Sequence, residues 1–176
     1  MGKTNKSGLG VGVGTSPQGS ITQSDFDNKV KKLLKKDDML KPLIDAKVKF
    51  NADNVLFVTK DKSGQMIWLE KGDDRAGLKH ILIRHADDFH DKHNVSKDKI
   101  ASHLNNIISN GNIEYSRIIK RGNHNGIEKL YSYKGMYYLL TGTGTNGFIV
   151  SAYPIKEKEA IKLKAMYKND ESKRKS

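Results

Sequence analysis

The chain has no cysteine, only three prolines and one tryptophan, and no apolar run approaching the length of a membrane span. Each absence narrows the chemistry. Without thiols there is no disulfide, no thiolate nucleophile, no Cys-bearing zinc site and no iron–sulfur cluster, so any reaction falls to imidazole, carboxylate, hydroxyl or cation. A spanning helix needs roughly 18 consecutive apolar residues, and the opening Met1-Gly2-Lys3-Thr4-Asn5-Lys6 lacks the apolar stretch of a secretion signal. Acidic residues are in deficit: 20 Asp and Glu stand against 32 Lys and Arg, a formal net charge of +12. Such a balance favours a polyanionic partner, nucleic acid first and an acidic protein or anionic lipid second. At 176 residues one modest domain is expected. A chain of about 150 residues buries roughly 70% of its unfolded surface, so a core forms without staples.

What is present is arranged in blocks. Residues 1–24 carry Gly8, Gly10, Gly12, Gly14 and Gly19 among Ser and Thr, with too little apolar matter to offset the entropy of ordering. They read as a flexible leader of the kind that joins two folded units, so a piece of a larger protein is the expectation. Residues 25–50 form a helical segment. Ser24 with Asp27 three residues on is a cap signature before Phe26, Val30, Leu33 and Leu34 at helical spacing, and Pro42 is expected to interrupt the helix before a second short piece.

Residues 51–160 hold the domain proper. Two β-rich runs, 55–58 and 66–69, flank the turn Asp61-Lys62-Ser63-Gly64. Leu78, Ile81, Leu82, His85 and Phe89 share one helical face. Ser96 opens a further helix with the stripe Ile100, Leu104, Ile107 and Ile108, and Gly111 stops it. The period then changes to two over 113–119, 129–133, 136–140 and 148–153, with short Gly-rich connections that fit an antiparallel meander and cannot carry parallel crossovers. Residues 161–176 read as a basic tail ending in Lys173-Arg174-Lys175. The fold class is therefore α+β: N-terminal helices packed on one face of a C-terminal four- to five-stranded antiparallel sheet, the other face free for a ligand.

Four groups of residues carry chemistry. On the core helix, His80 and Arg84 lie one turn apart on one side, next to Lys79, while His85 lies with the apolar stripe. A satisfied core histidine on a solvated cationic helix would account for the same residues. In the last strand Ser151 and Tyr153 share a face, and Thr141, Thr143 and Thr145 alternate with glycines before it, offering hydroxyls and N–H groups suited to phosphate. No Walker loop is present. Asp87, Asp88, His90, Asp91 and His93 cluster but match no metal-ligand spacing, so no metal or cofactor is expected. Arg117, Lys120 and Arg121 crowd the first strands with Tyr131 and other tyrosines, a cationic and aromatic surface suited to RNA. RNA can be cut without metal or thiol, because its own 2′-hydroxyl attacks the adjacent phosphate once a base takes the proton and an acid serves the leaving oxygen.

These residues resemble the barnase, EndoU, colicin and RelE-like nuclease superfamily in its polymorphic-toxin and phage branches. The likeness runs over about residues 55–155, through Gly77-Leu78-Lys79-His80-Ile81, His85, Asp87-Asp88-Phe89, Ile107-Ile108-Ser109-Asn110-Gly111 and Ser151-Ala152-Tyr153-Pro154. The resemblance implies helices on an antiparallel sheet, metal-independent cleavage of RNA with tRNA as the expected target, and use as a toxin domain. Such a domain is delivered by a larger secreted or cell-surface effector, acts in the cytoplasm of the target cell and is neutralised by a cognate, acidic immunity protein. In colicin D-like members a Lys and a His on a helix act with a Ser-x-Trp pair. Lys79, His80 and Ser151 match by type and order, and Tyr153 stands in the Trp place. Barnase-like members use a strand glutamate as base; Glu128, assigned to a hairpin edge, is not read as its counterpart. On this reading the catalytic set is His80, His85, Lys79, Ser151, Tyr153 and Thr143, and Arg84, Arg117, Lys120, Arg121, Tyr131, Thr141 and Thr145 bind substrate. The alternative is a non-catalytic basic RNA-binding module with the same surface.

Overall fold

The structure, a computed structural model, describes residues 22–144 and 146–175; the Gly- and Ser-rich leader falls outside them as far as residue 21. The chain forms two units divided between Met39 and Leu40. Helix α1 (Gln23–Asp45) spans the division. Its first unit is a helix capped by Thr22 rather than Ser24: the Asp25 amide donates to the Thr22 hydroxyl at 3.0 Å. The stripe Phe26, Leu33 and Leu34 is exposed. Pro42 does not interrupt the helix, and the Ala46 amide still reaches the Pro42 carbonyl at 3.0 Å. A proline removes one amide donor and leaves one carbonyl a turn earlier unpaired; on a largely exposed helix, water covers that loss.

The second unit begins with the end of α1, where Leu40 and Leu43 are buried. There follow β1 (Val55–Lys60), β2 (Met66–Glu70), α2 (Leu78–His93), a 3-10 turn at Lys97–Lys99, α3 (Ile100–Asn110), β3 (Asn112–Arg121), β4 (His124–Tyr133), β5 (Met136–Gly144), β6 (Ser151–Ile155) and α4 (Glu157–Lys175). The α+β expectation is met: β3-β4-β5-β6 is a four-stranded antiparallel meander and β1-β2 a separate hairpin. The segment 148–150, expected as strand, lies outside the meander and bridges the hairpin instead: the Trp68 amide donates to the Gly147 carbonyl and the Ile149 amide to Trp68. Gly147 makes that approach possible. It sits at φ 88°, and a Cβ there would stand 1.9 Å from the Met66 carbonyl oxygen.

Two apolar clusters hold the sheet. On one face, Ile81 and Phe89 of α2 and the Ile100, Leu104, Ile107 and Ile108 stripe of α3 pack with Tyr131, Tyr138, Leu140 and Ala152. On the other, Tyr115, Leu130, Leu139 and Ile155 pack with Ala160, Leu163 and Tyr167 of α4. The second face is therefore not open, as the sequence pattern suggested. The chain after Pro154 continues as a 19-residue helix laid over it. Each buried Leu or Ile contributes about 1.5–3 kcal/mol relative to exposure, so both clusters matter to a domain of this size. The sheet is also tied to the hairpin by a buried polar knot. Asp61, at the β1–β2 turn, accepts from the Lys129 ammonium, the Tyr131 hydroxyl and the Ser63 amide and hydroxyl.

Candidate active site

Alternation along the strands places Tyr115 and Arg117 of β3, Glu128 and Leu130 of β4, Thr141 of β5, and Ser151 and Tyr153 of β6 on the face under α4. At its centre is a residue that sequence reasoning set aside. Glu128 lies well inside β4, directly across from Arg117, not at a hairpin edge. Its Oε1 accepts from the Arg117 guanidinium at 2.8 Å and from the Tyr115 hydroxyl at 2.9 Å, leaving the Glu128 side chain 11% exposed. Burial and the neighbouring Glu128 carboxylate push the Tyr115 phenol up, so it stays a donor. The strand was read as starting at Lys129. Starting it at His124 pairs Glu128 with Arg117 in a regular β3–β4 register, and ordinary alternation sends Glu128 to one face and Lys129 to Asp61 on the other. The signal that could have found Glu128 was its cross-strand charge match with Arg117.

Helix α2 brings the histidines to the edge of this face. Gly77 starts it at φ 86°, with Glu70 O and Gly72 Cα each 2.9 Å from where a Cβ would be; its amide donates to the Val150 carbonyl at 3.0 Å, fixing the helix start beside β6. About two turns on, the His85 ring stacks on Tyr153, centroids 4.5 Å apart and planes 24° from parallel. His85 Nδ1 lies 3.2 Å from the Asp88 carboxylate. A carboxylate accepts, so Nδ1 carries a proton, and Nε2 is left as the nitrogen that gains or gives the proton by which the ring titrates. Burial pulls the His85 pKa below its ordinary value and outweighs the opposing pull of Asp88. His80 is 6.4 Å from His85, ring to ring, with its Nδ1 2.9 Å from the Asp74 carbonyl oxygen; it too presents Nε2.

The other expected residues divide. Ser151 and Thr141 are Cα partners on the face, nearly buried at 6% and 8% exposure, and the Ser151 hydroxyl has no hydrogen-bond partner. A buried hydroxyl without a partner is uncommon in a fold that satisfies its polar groups. Lys79 is turned to Asp74, Nζ to carboxylate 2.9 Å, both exposed. Arg84 and Lys120 are exposed, and Lys120 pairs across from Asn125. Tyr131 requires a correction: it is fully buried on the opposite face with its hydroxyl on Asp61, 2.8 Å away, and is a core residue rather than a substrate contact. The side chains of Arg121 and Thr143, and Thr145 altogether, lie outside the described residues. His103 is part of a separate cluster on the α2–α3 side, where its Nε2 is 2.8 Å from the Tyr138 hydroxyl and His93 stands edge-on to the same ring.

Fold and face together define the class: an α+β domain whose sheet carries an arginine–glutamate pair on β3 and β4 and a histidine stacked at its β6 edge, the equipment of acid–base chemistry on an anionic substrate. A family model described as phage-Barnase-EndoU-ColicinE5/D-RelE like nuclease1 matches residues 62–159, more than half of the 176. The chain belongs to that family of nucleases, and its substrate is a nucleic acid. No curated protein matches it. The matched segment runs from the β1–β2 turn to the first residues of α4 and contains Glu128, Arg117, His85 and Tyr153.

Proposed function

We propose that the protein is a metal-independent endoribonuclease that cuts RNA, with tRNA as the expected target, through attack of the substrate's own 2′-hydroxyl. Glu128 takes the proton from the 2′-oxygen as it bonds to phosphorus. His85, in its imidazolium form, gives the Nε2 proton to the 5′-oxygen as that oxygen's bond to phosphorus breaks, and Arg117 neutralises the charge growing on the phosphoryl oxygens. The products are a 2′,3′-cyclic phosphate and a free 5′-hydroxyl. Ser151 and Thr141 line the floor and Tyr153 holds the imidazole plane. His80 is the second imidazole, within reach to relay a proton. Lys79, bound to Asp74, has a supporting place at most.

The observation that carries this reading is one sheet face that holds Glu128, bonded to Arg117 and Tyr115, and, in the same apolar cluster, Tyr153 stacked on His85. The resemblance to barnase-like members, in which a strand glutamate is the base, supports the role given to Glu128. Net charge of +12 supports a polyanionic substrate and an acidic immunity protein, and the family's phage and toxin setting supports a role in competition between bacteria. On this reading the domain is delivered by a larger secreted or surface effector and acts in the target cytoplasm.

Incubating the protein with total RNA and with tRNA in EDTA tests it. Fragments ending in 2′,3′-cyclic phosphate, absent with Glu128→Gln, are the expected result. RNA that is bound but intact would select the non-catalytic module instead, and cleavage that needs added metal would refute the mechanism. Co-expression with an acidic neighbour-encoded protein that restores host growth tests the toxin assignment separately.

A further inference from the structure

The Glu128 carboxylate, which on the reading above must meet a ribose hydroxyl, is 11% exposed, and the Arg117 guanidinium 28%. What lies over them is this chain's own helix. Asp170 of α4 places its carboxylate 3.8 Å from the Arg117 guanidinium, on the nitrogen not engaged by Glu128. One turn earlier, Tyr167 stacks on Tyr115 with ring centroids 4.9 Å apart and planes 17° from parallel. An anion on the arginine and a flat ring on the tyrosine, side by side, are the two parts of a nucleotide: phosphate and base. We infer that Arg117 and Tyr115 form a nucleotide subsite, phosphate on the guanidinium and base on the phenol ring, and that α4 occupies it with Asp170 and Tyr167, competing with substrate. This rests on the ribonuclease reading for the identity of the polynucleotide.

The helix is built to hold lightly at that end. Its apolar anchors, Ala160 and Leu163, are near its start, and the residues that face the sheet further on are the polar Lys164, Tyr167 and Asp170. Lys164 reaches Glu114 at 3.5 Å, and the Asp170 side chain is 52% exposed. An exposed ion pair and one ring stack can open without disturbing the buried anchors. The family match ends at residue 159, so the covering part of α4 lies beyond the matched segment.

The perturbation is Asp170→Asn combined with Tyr167→Ala in the full chain, with Asp170→Lys alone as a variant that touches only an exposed position. A site closed nine-tenths of the time shows an apparent affinity about tenfold weaker than the open one. Binding of a 2′-O-methyl oligonucleotide, which cannot be cleaved, is therefore expected to tighten about tenfold in the double variant and clearly in Asp170→Lys. For RNA, KM is expected to fall with kcat unchanged, and adding Arg117→Ala should abolish the gain. Binding and KM equal to wild type in both variants would overturn the inference while leaving the ribonuclease reading intact. Tighter binding with no cleavage by any of the proteins supports the subsite and removes the ribonuclease reading.

Discussion

Replacing Lys129 by methionine tests how the fold aims its central carboxylate. The Lys129 and Asp61 side chains are 3% and 0% exposed, and the ammonium is bonded to both Asp61 and Ser63. Taking away one partner of a buried pair leaves a charge with no counter-ion, which costs about 3–5 kcal/mol. With a urea m value of roughly 1–3 kcal/mol/M, the midpoint should fall by at least about 1 M. The double variant Asp61→Asn, Lys129→Met removes both charges and is expected to recover most of the loss, since a neutral pair of similar shape leaves nothing uncompensated. The pH dependence has a definite sign. Burial would raise the Asp61 pKa, but hydrogen bonds from Lys129, Ser63 and Tyr131 more than reverse that, and the net shift is downward. Stability from a depressed carboxyl is present above its unfolded pKa and lost as pH falls through the folded one; acid therefore destabilises the wild type more steeply than the double variant. The assay is equilibrium unfolding in urea at pH 7 and at pH 3–4. A loss under about 1 kcal/mol for Lys129→Met, or a double variant no better than the single, would refute the reasoning. Because Lys129 directly follows Glu128 and neighbours in a strand alternate between faces, the tie that holds Lys129 on one face holds Glu128 on the other.

His85→Ala should lower the cleavage rate about 10²- to 10⁴-fold, the usual share of a positioned acid or base; a loss under tenfold in single-turnover assays would remove His85 from the chemistry. Asp88→Asn removes a contact that raises the His85 pKa, so with His85 as acid the alkaline limb of the pH–rate profile moves to lower pH, and a limb that stays in place speaks against that role. Lys79→Ala should change kcat/KM by less than about threefold, because an exposed pair such as Lys79–Asp74 contributes little; a hundredfold loss would return Lys79 to the centre. RNA, but not DNA of the same sequence, should be cut, since only RNA carries the attacking hydroxyl; equal cleavage of both would exclude internal attack.

Much of the architecture was legible in residue periodicity. The Leu78-Ile81-Leu82-His85-Phe89 stripe sets α2, the Ile100-Leu104-Ile107-Ile108 stripe sets α3, and the change to period two with short Gly-rich turns sets the meander, because these patterns follow from helix and strand geometry alone. The same patterns placed His85 on the inward face and Ser151 and Tyr153 together. Pro42 misled because a break in local hydrogen bonding was assumed to end a helix whose packing, through Leu40 and Leu43, carries it on.

Residue order by itself therefore determined the element types, the α+β class, the family and the chemical kinds of side chain available, since all of these rest on local spacing. Only the tertiary structure decided which of those side chains meet. The pairing that sets Glu128 across from Arg117, the stacking of His85 on Tyr153 and the burial of Tyr131 on the face opposite to Glu128 depend on how distant strands register. The Lys- and Glu-rich C-terminal segment favours a helix by composition alone, but its place over the Glu128 face is decided by the packing of Ala160, Leu163 and Tyr167 against the sheet.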